Sequence, residues 1–447
     1  MRIKTNRLMA VAFAGVLAAP VSALATNGYF AIGYGAGSIG MGGVGVTTPQ
    51  DTLCVGGNPA CLGEFPAPRF DIGAGIFVPE RRSAVASGYF NGGNIVSDSN
   101  TFIIPGMGFV FPFDDHLTFG IAAIGNGGMN VTYRKNFFNV LATTTQPTQY
   151  LGVDMIQLLV PITVAYKLDD DHTVAVSVVP ARARFLAQGL QEFGELGYSS
   201  DKENLTNNGH DFSNGIGTRI GWTSHFFDKN LTLGATYAGK VFMSKFEHYK
   251  GLFADKGSFD IPANYAIGIA VKPMPKLTVA ADVMKILYSD VPSVANRGPS
   301  TLDGGSNYNI TQLGLPGGMG FGWTDMTVYK LGLVYEGAFS SLFGDKLVLR
   351  AGYNYSKSPI LEKEFLFNVL APAVVETHYT LGFTYNLGEQ SILGFGSEGA
   401  VTMAWQHARG RTQGSANIYF ADQLPAVGPT EAYMKQDAVD IAYTLKF

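Results

Sequence analysis

The residues able to do chemistry are few and scattered. The seven histidines, at 116, 172, 210, 225, 248, 378 and 407, show no metal-ligand spacing. The two cysteines, Cys54 and Cys61, have no nearby histidine to complete a zinc set, but in an oxidising compartment they could close one small disulfide loop. Gly35-Ala36-Gly37-Ser38-Ile39-Gly40 has the spacing of a dinucleotide loop, yet no strand precedes it and no βαβ unit surrounds it. His378 and His407 lie on strand-like segments without a nucleophile motif. The chain therefore reads as a non-enzyme without cofactor or metal, a serine–histidine lipase being the alternative because triads are assembled in space. Arg182 and Arg184 stand two apart and share one face of an extended segment. At mid-membrane on a lipid-facing side they would cost several kcal/mol, so the lumen or the outer rim is expected. There they could pair with a carboxylate head group while an apolar tail packs nearby.

Those residues must be carried by some scaffold, and composition narrows it. The 447 residues hold 31 Lys plus Arg against 35 Asp plus Glu, a net charge of −4, so there is no basic excess of the kind a nucleic-acid binder carries. Charged residues at 15% and aromatics at 12% exclude a disordered chain. Arg2, Lys4 and Arg7, an apolar stretch from Leu8 to Ala19, and Ala23-Leu24-Ala25 make residues 1–25 a signal peptide cleaved before Thr26. The longest later apolar run, Met155 to Tyr166, contains Gln157 and Pro161 and is too short for a spanning helix. An exported chain of this kind is soluble or crosses a membrane as a β-barrel.

Period-two alternation favours the barrel. Val439, Ile441, Tyr443, Leu445 and Phe447 alternate with mostly polar neighbours, and the same pattern recurs at 379–387, 347–355 and 231–237. Tyr443, Leu445 and Phe447 form an aromatic-ended final strand of the kind outer-membrane barrels carry as an assembly signal. About fourteen such segments lie between 69 and 447, joined alternately by short turns and long loops. The expected fold is all-β: a transmembrane antiparallel β-barrel over 69–447 in a Gram-negative outer membrane, with residues 26–68 as an N-terminal hatch inside the lumen. In the third strand Gly125-Asn126-Gly127-Gly128 interrupts the alternation and makes a kink inexpensive, although the apolar phase resumes at Met129, Val131 and Tyr133. Apolar clusters in the long loops, Phe185-Leu186-Ala187 with Leu190 and Phe193, Phe137 to Leu141, and Phe365-Leu366-Phe367, are expected to form an exposed capture groove.

The chain resembles the FadL family of outer-membrane transporters. The resemblance rests on Ser38-Ile39-Gly40-Met41-Gly42-Gly43-Val44-Gly45 leading to Asn58-Pro59-Ala60, which is similar to the family's hatch motif. It extends through Phe70 to Gly75, Leu117 to Ile121, Ala181 to Arg184, Ile261-Pro262-Ala263 and Ser358-Pro359. It implies a monomer that captures hydrophobic small molecules, fatty acids or aromatic hydrocarbons. It also implies movement of the hatch and sideways release through a gap at the kinked third strand into outer-membrane lipid beneath the lipopolysaccharide. Arg182 falls at the position of a basic ligand contact in the family. A second basic contact, before strand ten, is replaced here by Trp323-Thr324-Asp325. The other readings are a general porin, which normally lines its lumen with opposed charges, and a barrel adhesin or lipolytic enzyme.

Overall fold

The computed structural model describes residues 27–85, 93–136, 138–139, 148–298, 300–301, 311–392, 395–413, 419–420 and 430–447. The expected signal peptide, and Phe137, Val140 and Leu141 of one loop cluster, lie outside these.

Fourteen spanning strands close into one antiparallel barrel. They are β1 (Arg69–Val85), β2 (Gly93–Val96 and Phe102–Pro112), β3 (Leu117–Tyr133), β4 (Leu151–Leu159 and Ile162–Lys167), β5 (His172–Gln188), β6 (Asp211–Phe226) and β7 (Leu231–Ala238 and Phe242–Met243). The remainder are β8 (Asn264–Met274), β9 (Leu277–Ile286), β10 (Met326–Glu336), β11 (Leu347–Ser356), β12 (Thr377–Ile392), β13 (Phe395–Gln413) and β14 (Thr430–Lys446). Closure is direct: β1 pairs with β14 from Arg69↔Lys446 to Val85↔Thr430. β1 continues to Val85 and β14 begins at Thr430, because these strands stay paired beyond the alternating apolar segment.

The alternation is realised as an apolar outside and a filled inside. On β5, Val174, Val176 and Val178 are exposed while Thr173, Ser177 and Val179 are buried. Ile441 and Phe447 face outward on β14, and Ala438, Ala442 and Thr444 face the lumen. Exposed large hydrophobics on most strands make up the band that lipid covers. The short turns at one end are held by aspartates. Asp114 Oδ1 accepts from the His116 and Leu117 amides at 2.8 and 2.7 Å, and Asp169 Oδ1 accepts from Asp171 and His172 at 2.9 and 2.8 Å. These amides hold both carboxyls below the usual carboxylate range.

Residues 27–65 fill the lumen. Tyr29, Met41, Val44, Val55, Ala60 and Leu62 are fully buried against the inner wall. The segment has little regular structure, only a turn of helix at Ala36–Ile39 and 3₁₀ turns at Thr52–Gly56 and Pro59–Glu64. Its backbone polar groups must therefore find partners on the wall.

Candidate functional site

Wall side chains grip the plug backbone. Lys330 of β10 donates to the carbonyls of Ile32 and Gly43 at 2.8 and 2.9 Å. Asp282 Oδ2 of β9 accepts from the amides of Gly45 and Val46 at 2.8 and 3.1 Å. Gly42 donates to Thr380 Oγ1 at 2.8 Å and accepts from Asn354 Nδ2 at 3.1 Å. Gly42 must be glycine, since its φ is +70° and a Cβ would lie 2.7 Å from the Tyr353 backbone. The Asn58-Pro59-Ala60 turn is anchored through Asn58, whose Nδ2 donates to Val46 O at 2.8 Å and Trp222 O at 3.1 Å while its Oδ1 caps Ala60 N. Arg219 of β6 donates to the carbonyls of Gly56 and Gly57 beside it. Cys54 and Cys61 flank this turn and are joined in a disulfide.

The third strand carries a bulge at the glycine cluster. The β3–β4 register shifts between Gly125 and Gly127. Before the bulge, Ala122 and Ile124 face the lumen. After it, Met129, Val131 and Tyr133 do so, all buried in the main core. The apolar residues keep odd numbers across the segment but change sides, so the apparent return of phase in the sequence conceals a true shift. The bulge releases the Asn126 backbone to the plug. Ala31 N donates to Asn126 O at 2.8 Å, Gly128 N donates to Tyr29 O at 3.0 Å, and Phe30 forms a β-bridge with Gly127. Tyr34 Oη donates to Asn126 Oδ1 at 2.7 Å, and Asn126 Nδ2 donates to Gln157 Oε1 at 2.9 Å.

Next to the bulge the wall is unzipped. β2 pairs with β3 only from Pro112↔Thr118 to Met107↔Ala123. Beyond that, residues 102–106 pair with β1 and residues 124–133 with β4, but not with each other. Pro105 brings no N–H to this stretch. Contact resumes above, where Asp98 N donates to Thr132 O at 2.9 Å. A cavity of about 50 Å³ lies behind the gap, lined by Ile104, Pro105, Gly106, Ile124 and Gly125 with Tyr34 of the plug.

From the long-loop end, a chain of buried rings leads down to the same place. Ring centroids run Phe138–Phe193 at 4.9 Å, Phe193–Phe367 at 5.9 Å, Phe367–Phe321 at 5.3 Å, Phe321–Trp323 at 6.2 Å and Trp323–Tyr288 at 5.1 Å. The chain ends on Tyr29 of the plug, 5.2 Å from Tyr288. Tyr288 Oη is tied to the Asn27 carbonyl at 2.6 Å and the Tyr29 amide at 3.1 Å. A side branch through Phe185, Phe253 and Phe259 borders a cavity of about 10 Å³ with Leu190 and Leu370. That void has room for about one water molecule, far below the ~150 Å³ of a cavity known to take benzene.

The sequence model of the outer membrane protein transport family (OMPP1/FadL/TodX) matches residues 18–416. The chain belongs to the FadL/TodX family. Solved structures agree in fold. The P. putida toluene transporter TodX aligns at TM-score 0.64 and 21% identity over 93% of this chain and 99% of its own. A Pseudomonas aeruginosa FadL homologue aligns at 0.65 and 14% over 94% and 100%. The Ralstonia pickettii toluene transporter TbuX aligns at 0.61 and 19% over 93% and 99%. Among curated proteins none matches. As a FadL/TodX protein, the chain is an outer-membrane transport protein for hydrophobic compounds.

Against this family background, the expected ligand residues divide. Phe185, Leu190 and Phe193 lie inside, in the core beneath the loops. Arg182, Arg184 and Leu186 share the outward face of β5 with Val174, Val176 and Val178, toward the long-loop end. Arg182 stacks on the Phe212 ring at 4.8 Å, and Arg184 pairs with Asp154 at 2.8 Å, which also meets His210 at 3.0 Å. Of the two placements expected for the arginines, the lumen and the outer rim, the structure shows the outer rim, where they keep contact with polar groups. The described aromatic and leucine residues of the 137–141 and 365–367 loop clusters are also not exposed. Phe138, Phe365, Leu366 and Phe367 are buried, because they pack on one another over the barrel mouth. The sequence reading missed Lys330, Asp282 and Tyr288, and took Trp323 only as part of a replaced basic contact. Lone charges between apolar strand residues, as in Tyr329-Lys330-Leu331, were the signal for the first two.

Proposed function

We propose that this protein carries small apolar molecules, aromatic hydrocarbons or the apolar bodies of long-chain fatty acids, across the outer membrane without an energy source. The ligand enters among the long loops and passes the aromatic chain as Phe138, Phe193 and Phe367 part. It reaches Tyr29, displaces the plug strand from the β3 bulge and leaves sideways between β2 and β3. The observation that carries this reading is the continuity of buried rings ending on the plug residues that bridge Gly127 beside the unzipped wall. Aromatic side chains give such a path large apolar contact area. A sideways exit delivers an apolar ligand to lipid and spares it the polar surface. That TodX and TbuX are toluene transporters supports a hydrocarbon ligand.

The test is saturable uptake of labelled toluene and oleate by cells lacking their own transporter, with the wild type and with a Pro105→Cys/Gly125→Cys staple across the gap. Uptake that the staple removes and reduction restores supports the reading. Undiminished uptake through the stapled wall overturns the sideways exit, and no uptake of either compound overturns the choice of ligand.

A further inference from the structure

The cavity behind the gap between β2 and β3 is lined by glycines and apolar side chains, apart from Tyr34, Asp51 and Asp440. Two of these three are engaged. The Tyr34 hydroxyl donates to Asn126, and Asp51 Oδ1 accepts from the Leu53 amide at 3.0 Å. The third is not. Among the described residues, the Asp440 carboxylate has neither an ion pair nor a hydrogen bond.

Register and packing bring that carboxylate to the gap. Asp440 alternates with the outward-facing Val439 and Ile441 and shares the luminal face of β14 with Ala438 and Ala442. It stands opposite Gly75 of β1, and Gly75 stands opposite Ile104 of β2, on the strand edge that β3 has left. A Cβ at position 75 would lie 2.2 Å from Asp440 Oδ1, so the carboxylate takes the space over β1 that glycine leaves. On its other side the opposing residues are Ala404 and then Gly382, and neither has a side-chain donor. A carboxylate facing a nearly apolar cavity is costly to hold until something that enters can bond it.

We propose that Asp440 is the selectivity group of the sideways exit. It takes apolar cargo that carries a hydroxyl, an alkylphenol or a long-chain alcohol, and turns carboxylates away. This deepens the transport reading and rests on its sideways exit. As the plug strand withdraws, the apolar body of the cargo passes first between Ile104 and Gly125 toward lipid. Its trailing O–H then donates to Asp440, and a bond to a charged acceptor is stronger than one between neutral groups. A carboxylate head would meet Asp440 as a like charge, with Asp51 lining the same cavity, and would find no donor there.

The experiment is initial uptake of radiolabelled 4-butylphenol, 4-butyltoluene and 4-butylbenzoate at limiting concentration by cells lacking their own transporter, less the uptake of cells without this gene. With the wild type, the phenol should enter about tenfold faster than the toluene, and the benzoate about tenfold slower. Asp440→Ala should bring the phenol down to the rate of the toluene and leave the toluene unchanged. Asp440→Asn keeps an acceptor without the charge, so it should retain part of the phenol preference and raise benzoate uptake. If Asp440→Ala fails to reach the outer membrane, Gly75→Ala pushes the carboxylate out of the same space and should lower the phenol preference instead. Equal wild-type rates for phenol and toluene, or a ratio that survives both Asp440→Ala and Gly75→Ala, overturn the site. The exit still stands in that case if the Pro105→Cys/Gly125→Cys staple blocks toluene uptake. Uptake of all three probes that the staple does not slow overturns the exit and the site with it.

Discussion

The carbonyl of Asn126, freed by the bulge in β3, accepts from the amide of Ala31 in the plug, 2.8 Å away. One irregularity thus does two things: it ends the pairing of β3 with β2, and it offers the plug a place to dock. Plug and wall are thus joined through these few hydrogen bonds, and on the proposed route displacing the plug strand would uncover the gap.

The Tyr34 hydroxyl is the side-chain part of that lock. Tyr34→Phe removes its 2.7 Å bond to Asn126 Oδ1 and keeps the ring. The plug should weaken by about 1 kcal/mol, read as faster amide exchange at residues 27–35 and faster ligand uptake, with the barrel's melting temperature unchanged. Slower exchange in the variant would contradict the lock.

Lys330 is expected to be the strongest latch, because a charged donor holds two plug carbonyls at once. Lys330→Met should cost the docked plug about 2–3 kcal/mol and leave Asp282 without its charge partner. In planar bilayers the wild type should be nearly closed and the variant should show discrete openings. The double change Lys330→Met with Asp282→Leu should open the plug further, since the Gly45 and Val46 amides then also lose their acceptor.

Plug docking should weaken as pH rises. Burial, and next the Asp71 carboxylate, push the Asp51 carboxyl up to about 7, with Arg69 opposing. An acid whose folded pKa lies above its unfolded value makes the folded state bind more protons between the two. Its docked form is therefore most favoured near pH 4 and loses that advantage as pH climbs through 7. Protection of the amides at residues 50–57, taken relative to their intrinsic base-catalysed exchange, should be lower at pH 8 than at pH 5.5, and Asp51→Asn, which keeps the acceptor for Leu53 N, should flatten the difference. An unchanged pH profile in Asp51→Asn would place the titration elsewhere.

Phe253→Ala should open the small cavity beside Phe185 and Leu190. The truncation is expected to cost about 3–5 kcal/mol of loop packing. The enlarged void, lined by apolar side chains, should hold an aromatic ring, so affinity for butylbenzene should rise several-fold by equilibrium dialysis. Affinity that falls with stability would show that the cavity lies off the ligand path.

Much of this architecture is local in origin and therefore legible in the order of residues. Side chains alternate across a strand with period two, so the fourteen strands, the short turns capped by Asp114 and Asp169, and the glycine-rich weak point of β3 can all be read directly. Even the outward aim of Arg182 was present in its even-numbered spacing from Val174, Val176 and Val178. Tertiary structure decided the rest. A single inserted residue at the bulge reverses the phase of everything after it, and only pairing with β4 reveals that Met129, Val131 and Tyr133 point inward. Lys330 meets Gly43 across 287 residues, and Trp323 lies 5.8 Å from Tyr29. Such meetings depend on closure of the barrel around an irregular segment, whose backbone must take its partners from whichever wall side chains closure brings within reach.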